Sequence, residues 1–358
     1  MRVLVWQWGR KGAGPRYAAE LAAALATVPG TSAALSLSTG AEILSGPNPP
    51  DCALPFPTYS GRPSFLARLP MIPFQLPGLT RRLRALRPDV AICAMPAALD
   101  LVMVTALRRA GIPFYVIVHD ADTHPGDDVP FQMWLQHALI RRAAGLLALT
   151  AHVADRVRAL GLVGSRKLLM TSHPPFAFGP MPPPPRAHGG KLRLLSFGRL
   201  LPYKGLDLLG DAMRSLGARP DIELRVVGKG PASAELDALA KLPGVTVENR
   251  WVPEAELGDL LAWSDALVLS HKEASQSGVA AAAIAARRYV VSTRVGGLAE
   301  QLRDEPLARL CAPEPAALAA AIASLVSDPP VDAARPSPGA IWHEVAERMV
   351  ADITAAGL

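Results

Sequence analysis

Residues 172–190 read SHPPFAFGPMPPPPRAHGG. Proline fixes φ and offers no backbone N–H, so four in a row fit neither a helix interior nor a central strand. Such a segment is a semi-rigid spacer. It falls near the middle of a 358-residue chain, which is too long for one ordinary domain. The chain therefore divides into a first domain over 1–172, a spacer over 173–190 and a second domain over 191–335. A terminal amphipathic helix over 336–358 is expected to pack back on the first domain.

The same pattern stands on both sides of the spacer. Before it, RVLVW (2–6), SAALSLS (32–38), DVAICAM (89–95), PFYVIVHD (113–120) and GLLALT (145–150) read as apolar strands. Helical stretches lie between them, one opening at Pro15 and one in DLVMVTALRRAG (100–111). After it, KLRLLSFGRL, IELRVVGKG, VTVENRWV, ALVLS and RYVVSTRVGG alternate with helices, among them GLDLLGDAMRSLG with Leu206, Leu209, Met213 and Leu216 on one face. Strands alternating with helices make a parallel sheet covered on both faces. The expected fold class is thus α/β: two doubly wound, Rossmann-like domains facing across a cleft, with ligands beyond the carboxyl ends of the strands.

Half of the residues are hydrophobic and 19% are charged, the balance of a well-buried globular protein. The net charge of +6 favours anionic partners such as phosphorylated small molecules or anionic lipid heads. Aromatics make up only 5%, and no basic-aromatic cluster resembles a nucleic-acid module, so nucleic acid is not expected as a partner. Cys52, Cys93 and Cys311 are far apart and odd in number, against a disulfide framework or a zinc site. The N-terminus is too short and polar for a signal peptide, and no apolar run reaches the ~18 residues of a membrane span. A cytoplasmic protein, soluble or peripheral on the inner membrane face, is expected.

Five stretches carry chemistry-bearing residues. In SFGRLLPYKG (196–205) a strand ends, Gly198 frees the backbone, and Arg199 and Lys204 follow within one turn. Arg grips a diphosphate with two parallel hydrogen bonds and Lys adds a point charge; the same residues also read as a solvated basic loop. In HKEASQSGVAAAA (271–283) a loop with Glu273, Gln276 and Ser277 meets a helix opening near Gly278. The unpaired amides of a helix start hold phosphate well, and a carboxylate accepts sugar hydroxyls; equally, a serine merely caps the helix. In VHDADTHPGDD (118–128), His119 ends a strand as a hydrogen-bonding or a purely structural histidine. Asp120 and Asp122 there form a D-x-D that would suit Mg²⁺ or Mn²⁺, but the two cationic positions already neutralise a diphosphate, and no metal is expected. GRKGAG (9–14) lets a ligand approach backbone amides at Gly12 and Gly14 without matching a dinucleotide fingerprint. Finally, FLARLPMIPFQLPGLTRRLRALRP (65–88) mixes apolar and Arg residues. It reads either as an anionic-membrane surface patch or as a loop and helix packed on its own domain, its prolines forbidding one continuous helix.

Taken in order, LLSFGRLLPYKGLDLL, LRVVGKGP, WSDALVLSHKEASQSG and VVSTRVGGLAEQL resemble the retaining glycosyltransferases of GT-B architecture, in particular a bacterial family 4-like subgroup with the E-A-S-Q-S-G turn. The match is strongest from Leu194 to Glu300, and WGRKGAGPRYAAEL and VHDADTHPGD extend it toward the N-terminus. The resemblance implies that Arg199 and Lys204 bind the donor diphosphate and Glu273 the transferred sugar. It implies that Gln276, Ser277 and Gly278 turn their amides to the phosphates, that His119 lies near the sugar, and that Gly12 and Gly14 form the N-terminal glycine loop. In one place the chain departs from the family. The second glutamate of E-x7-E, which grips the nucleotide ribose, is replaced by Ala281, or by Ala282 if the register slips by one.

The implied activity is metal-independent hexosyl transfer, with retention, from a UDP- or GDP-linked sugar to a hydroxyl of a glycan or lipid-linked acceptor, with no further cofactor. Two other classes share the architecture: a non-catalytic two-domain ligand-binding protein, and a sugar-nucleotide epimerase. The epimerase would need acid/base carboxylates beside Glu273.

Overall fold

The computed structural model describes residues 1–46, 48–126, 132–186 and 189–357. Asp127 and Asp128 of the acidic turn, and Ala187 and His188 of the spacer, lie outside the described residues. The chain forms two compact units. The first comprises 1–122, 129–172 and 339–358; the second comprises 123–128 and 173–338.

In the first unit β1 (Arg2–Gln7), α1 (Ala13–Thr27), β2 (Ser32–Leu37), α2 (Arg62–Arg68), α3 (Ile72–Leu86), β3 (Val90–Cys93), α4 (Asp100–Ala110), β4 (Phe114–Val118), α5 (Gln132–Ile140), β5 (Gly145–Ala148), α6 (Ala151–Ala159) and β6 (Lys167–Met170) follow in order. The strands form one parallel sheet, β2-β1-β3-β4-β5-β6. With helices on both faces the central strands are buried throughout, which is why β3 (VAIC) and β4 (FYVIV) are unbroken apolar runs. β6 is a half-exposed edge strand, so its sequence carries no such run. The order reverses between β1 and β3, and the glycine loop after β1 lies at that switch point.

The segment expected to be broken by prolines is helical almost throughout. Pro70 and Pro73 stand in the first turns of a 3-10 turn (Leu69–Met71) and of α3, where a missing N–H costs nothing. Pro77 lies inside α3 and is exposed, so the carbonyl it leaves unpaired can turn to water.

In the second unit β7 (Leu192–Arg199), α7 (Leu206–Leu216), β8 (Ile222–Lys229), α8 (Ala234–Ala240), β9 (Val245–Asn249), α9 (Glu254–Trp263), β10 (Ala266–Leu269), α10 (Gly278–Ala285), β11 (Tyr289–Thr293), α11 (Gly296–Gln301), β12 (Ala308–Cys311) and α12 (Pro315–Ser327) follow. The parallel order is β12-β11-β10-β7-β8-β9, reversing between β7 and β10. Leu206, Leu209 and Met213 of α7 are buried in the core, and Leu216 packs against it. The end of the spacer is pinned to this unit. Arg288, almost fully buried, donates to Pro183 O, and the buried Asp265 accepts from the backbone N–H groups of Arg186 and Arg193. The last helix, α13 (Pro338–Ala355), belongs to the first unit apart from its first residue, with Trp342 edge-on to Tyr17.

One buried acid in the first unit has a measurable consequence. Asp100 is 2% exposed and accepts hydrogen bonds from Trp6 Nε1 (3.1 Å), Ala97 N (2.6 Å) and Cys93 Sγ (3.5 Å). Burial pushes its pKa up to about 7, outweighing these neutral donors. Between the unfolded value near 4 and about 7 the folded protein keeps a proton that the unfolded chain gives up. Asp100 therefore makes stability fall as pH rises through that window, by about 1.4 kcal/mol per pH unit. Calorimetry from pH 4 to 7 is expected to show the Tm of Asp100→Asn rising relative to that of the wild type as pH increases.

Candidate functional site

In the second unit the parallel pairing of β10 with β7 matches Ala266 to Leu194 and Leu267 to Leu195. Both strands thus run in step toward the same sheet edge. Arg199 leaves the end of β7, and residues 270–277 leave the end of β10 and run into α10. This is the switch point of the sheet, where open α/β sheets hold their ligands.

Arg199 and Lys204 are both held at this edge. Arg199 Nη2 donates to the Tyr203 hydroxyl (3.0 Å). Lys204 Nζ donates to His271 Nε2 (2.7 Å). His271 is 2% exposed; burial first, and the Lys204 charge second, push its pKa well below the ordinary histidine range. The ring is therefore neutral and can accept from the ammonium. The turn carrying Lys204 is tied to the β10 loop by Ser270 Oγ to Lys204 O (2.8 Å) and Lys272 N to Tyr203 O (2.8 Å). Lys272 itself pairs with Asp207 (2.6 Å).

The helix start is close by. A Cβ on Gly198 would stand 3.6 Å from Val279 Cγ2, in the first turn of α10. Ser277 is the N-cap: its hydroxyl accepts from Ala280 N. The Gln301 amide braces the same residue twice, accepting from Ser277 N (2.8 Å) and donating to Ser277 O (3.1 Å). Gly297 N bonds Ala274 O. So α11 fixes the turn carrying Gln276, Ser277 and Gly278. Glu273, half exposed, accepts from His124 Nδ1 at 2.6 Å. The turn around 123–126 is part of the second unit, and the His124 ring stacks on Tyr203 at 4.7 Å.

Gly198, Arg199, Lys204, Glu273, Gln276, Ser277 and Gly278 thus share one sheet edge. Ala281 and Ala282 are almost fully buried in the core of the same unit. Tyr203, His271, His124 and Gln301 complete the cluster. Tyr203 and His271 stand in the motifs quoted for the resemblance, but nothing in the sequence showed that they orient the cations, and the His124–Glu273 pairing joins segments with no local signal.

The remaining candidates lie in the first unit. His119 is buried and donates from Nε2 to Ala94 O (2.7 Å), with its ring edge-on to Tyr17; burial lowers its pKa. Gly12 caps α1 with open space around it, whereas a Cβ on Gly14 would meet the Gln7 side chain and Met95 Sδ. Close packing therefore favours glycine at position 14. Asp122 of the D-x-D pairs with Arg156 (2.8 Å), and Asp120 O accepts from Gln136. Among the described residues no group of three or more His, Cys, Asp or Glu is arranged to hold a metal.

Two parallel, doubly wound units in one chain define the GT-B architecture. Residues 12–171 match the family model of the glycosyl transferase 4-like domain, and residues 191–328 match that of glycosyl transferases group 1. The chain belongs to the glycosyltransferases of this architecture. Solved structures share the fold at low identity. Sucrose-phosphate synthase of Thermosynechococcus elongatus is 16% identical with a TM-score of 0.66, covering 99% of this chain and 100% of its own. HepE of Anabaena, in complex with UDP and glucose, is 16% identical with a TM-score of 0.68 and the same coverage. UDP-GlcNAc 2-epimerase of Neisseria meningitidis, bound to UDP-GlcNAc, is 10% identical with a TM-score of 0.57, again over 99% and 100%. A search of curated protein sequences finds no match.

Gly205 shows how tightly the edge is built. Its φ is +65°, and a Cβ there would collide with Ser270 O. Gly205→Ala is expected to cost more than the ~1–2 kcal/mol of a left-handed non-glycine residue, read as a lower urea midpoint at unchanged m-value.

Proposed function

We propose that the protein transfers a hexosyl group, with retention, from a UDP- or GDP-linked sugar to a hydroxyl of a glycan or lipid-linked acceptor, without a metal. One observation carries this reading. Arg199 and Lys204 stand at the β7–β10 switch point beside the N-terminus of α10. Arg199 is oriented by the Tyr203 hydroxyl and Lys204 by the neutral ring of His271. HepE crystallised with UDP and glucose and with UDP-glucose supports the choice of donor.

Breaking the sugar–phosphate bond builds negative charge on the departing diphosphate and positive character on the ring. The Ser277 amide, expected from the sequence to face the phosphates, is taken by Gln301, so Arg199, Lys204 and the start of α10 at Gly278 would stabilise that leaving group; fixed charges and dipoles of this kind are usually the largest catalytic contribution. Glu273 would accept hydroxyls of the sugar, and His119, its ring held by Ala94 O, would orient it. The acceptor oxygen attacks the anomeric carbon on the face the phosphate leaves, and its proton passes to the departing phosphate oxygen. Arg199→Ala is expected to lower kcat on the order of 100-fold, by analogy with removal of one oxyanion donor (~3 kcal/mol), and EDTA to leave wild-type turnover unchanged. Full turnover in the variant, measured as nucleotide release from a panel of UDP- and GDP-sugars, would overturn the assignment.

The acceptor side of the proposal rests on the first unit. It holds 19 of the 37 Lys and Arg but 11 of the 31 Asp and Glu, so the positive excess of the chain lies there. α2, the 3-10 turn and α3 expose Leu66, Leu69, Met71 and Phe74, the last at 79%, next to exposed Arg81, Arg82 and Arg84. Leu76, Leu79 and Leu83 of α3 are buried, so Phe74 and Arg81 share its outward face. Apolar side chains flanked by arginine fit an anionic bilayer surface. Among the described residues no helix is long and apolar enough to cross one. Flotation is expected with vesicles containing anionic lipid, but not with zwitterionic vesicles, and is expected to weaken in Phe74→Ser.

A further inference from the structure

The geometry points to His124 as a positioning residue for Glu273: it holds the carboxylate that receives the donor sugar, and Tyr203 ties this hold to Arg199. The inference rests on the reading of Glu273 as the sugar-binding group.

Glu273 is half exposed, and a glutamate so placed loses rotamer entropy when it is fixed to receive a ligand. Here one oxygen is already fixed. A carboxylate only accepts, so the proton of the 2.6 Å contact is on His124 Nδ1. Engaging Oε1 in this way orients the group and leaves Oε2 for hydroxyls. His124 is itself fixed in two ways, by its ring and by its turn. Its ring lies nearly parallel to Tyr203, 4.7 Å away and 20° off plane. The Tyr203 hydroxyl accepts from Arg199, the diphosphate candidate. Gly126, with φ +83°, lies against Pro202, where a Cβ would stand 2.6 Å from Cδ, so the 124–126 turn fits onto the 202–204 turn only with glycine there. Tyr203 is buried, so the stack is a rigid base. One aromatic ring thereby sets the geometry of two candidate ligand contacts, the guanidinium toward the phosphates and, through His124, the carboxylate toward the sugar.

The test separates the donor hydrogen bond from the stacking. His124→Phe keeps a ring on Tyr203 and removes the donor; His124→Asn keeps a donor near the Nδ1 position. Binding of UDP, UDP-glucose, GDP and GDP-mannose is measured by calorimetry for wild type, both variants, Glu273→Gln and the Phe/Gln double variant. The expected result is that His124→Phe loses, on the order of tenfold, the extra affinity that the sugar adds to its nucleotide, with affinity for the bare nucleotide unchanged. His124→Asn is expected to restore part of it, and the double variant to be no worse than Glu273→Gln, because the two residues act as one unit. Wild-type sugar affinity in His124→Phe, or tighter binding that would make His124 a competitor of the sugar, overturns the inference. So does equal loss of nucleotide and sugar nucleotide, which would make the contact only structural. If Glu273→Gln loses the sugar increment while His124→Phe keeps it, only this inference falls. If the wild type binds none of the four, the proposed UDP- or GDP-linked donor falls with it.

Discussion

The parallel pairing of β10 with β7 decides where the charged groups of the second unit stand. Parallel strands end at the same sheet edge, and the chain reaches β10 only after running outward through β8 and β9. The two loops that meet there are thus far apart in sequence. One brings Arg199 and Lys204, the other Glu273 and the start of α10. Had β10 paired on the far side of β9, the same motifs would be present and would not meet. Lateral hydrogen bonds then lock the loops together, Ser270 to Lys204 and Lys272 to Tyr203. Gly205 is the tight point of that lock.

What surrounds the cations matters as much as their presence. A carboxylate partner would orient a lysine but cancel its field, as Asp207 does for Lys272. The ring of His271 that orients Lys204 is itself neutral, and burial is what keeps it so. On the carboxylate side Glu273 is held by an imidazole of the 123–126 turn.

The central strands were legible in the sequence because burial on both faces demands unbroken apolar runs, as in β3, β4 and β10. The edge strands β6 and β12 were not, because a half-exposed four-residue strand leaves no such run. Segment 65–88, read as a surface patch or as a loop and helix, is divided into α2, a 3-10 turn and α3, and Pro77 is accommodated inside α3 because it lies on an exposed face. Of the site, the residues that lie in local motifs could be read: Arg199, Lys204, Glu273 and the 276–278 turn. The side chains that orient them could not, because Tyr203 with His124, and Gln301 with Ser277, are pairings set by tertiary packing.

Ala281 and Ala282 limit what α10 can present to a ligand. The Cβ of Ala281 is sealed in the core, with Ala280, Ala282 and Ala283 packed around the same short helix. A glutamate placed at Ala281 would begin from a fully buried Cβ among apolar neighbours, where an unpaired carboxylate costs several kcal/mol. Ala282 is sealed in the same way, so neither position accepts a larger side chain unless the short helix shifts against the strands it packs on.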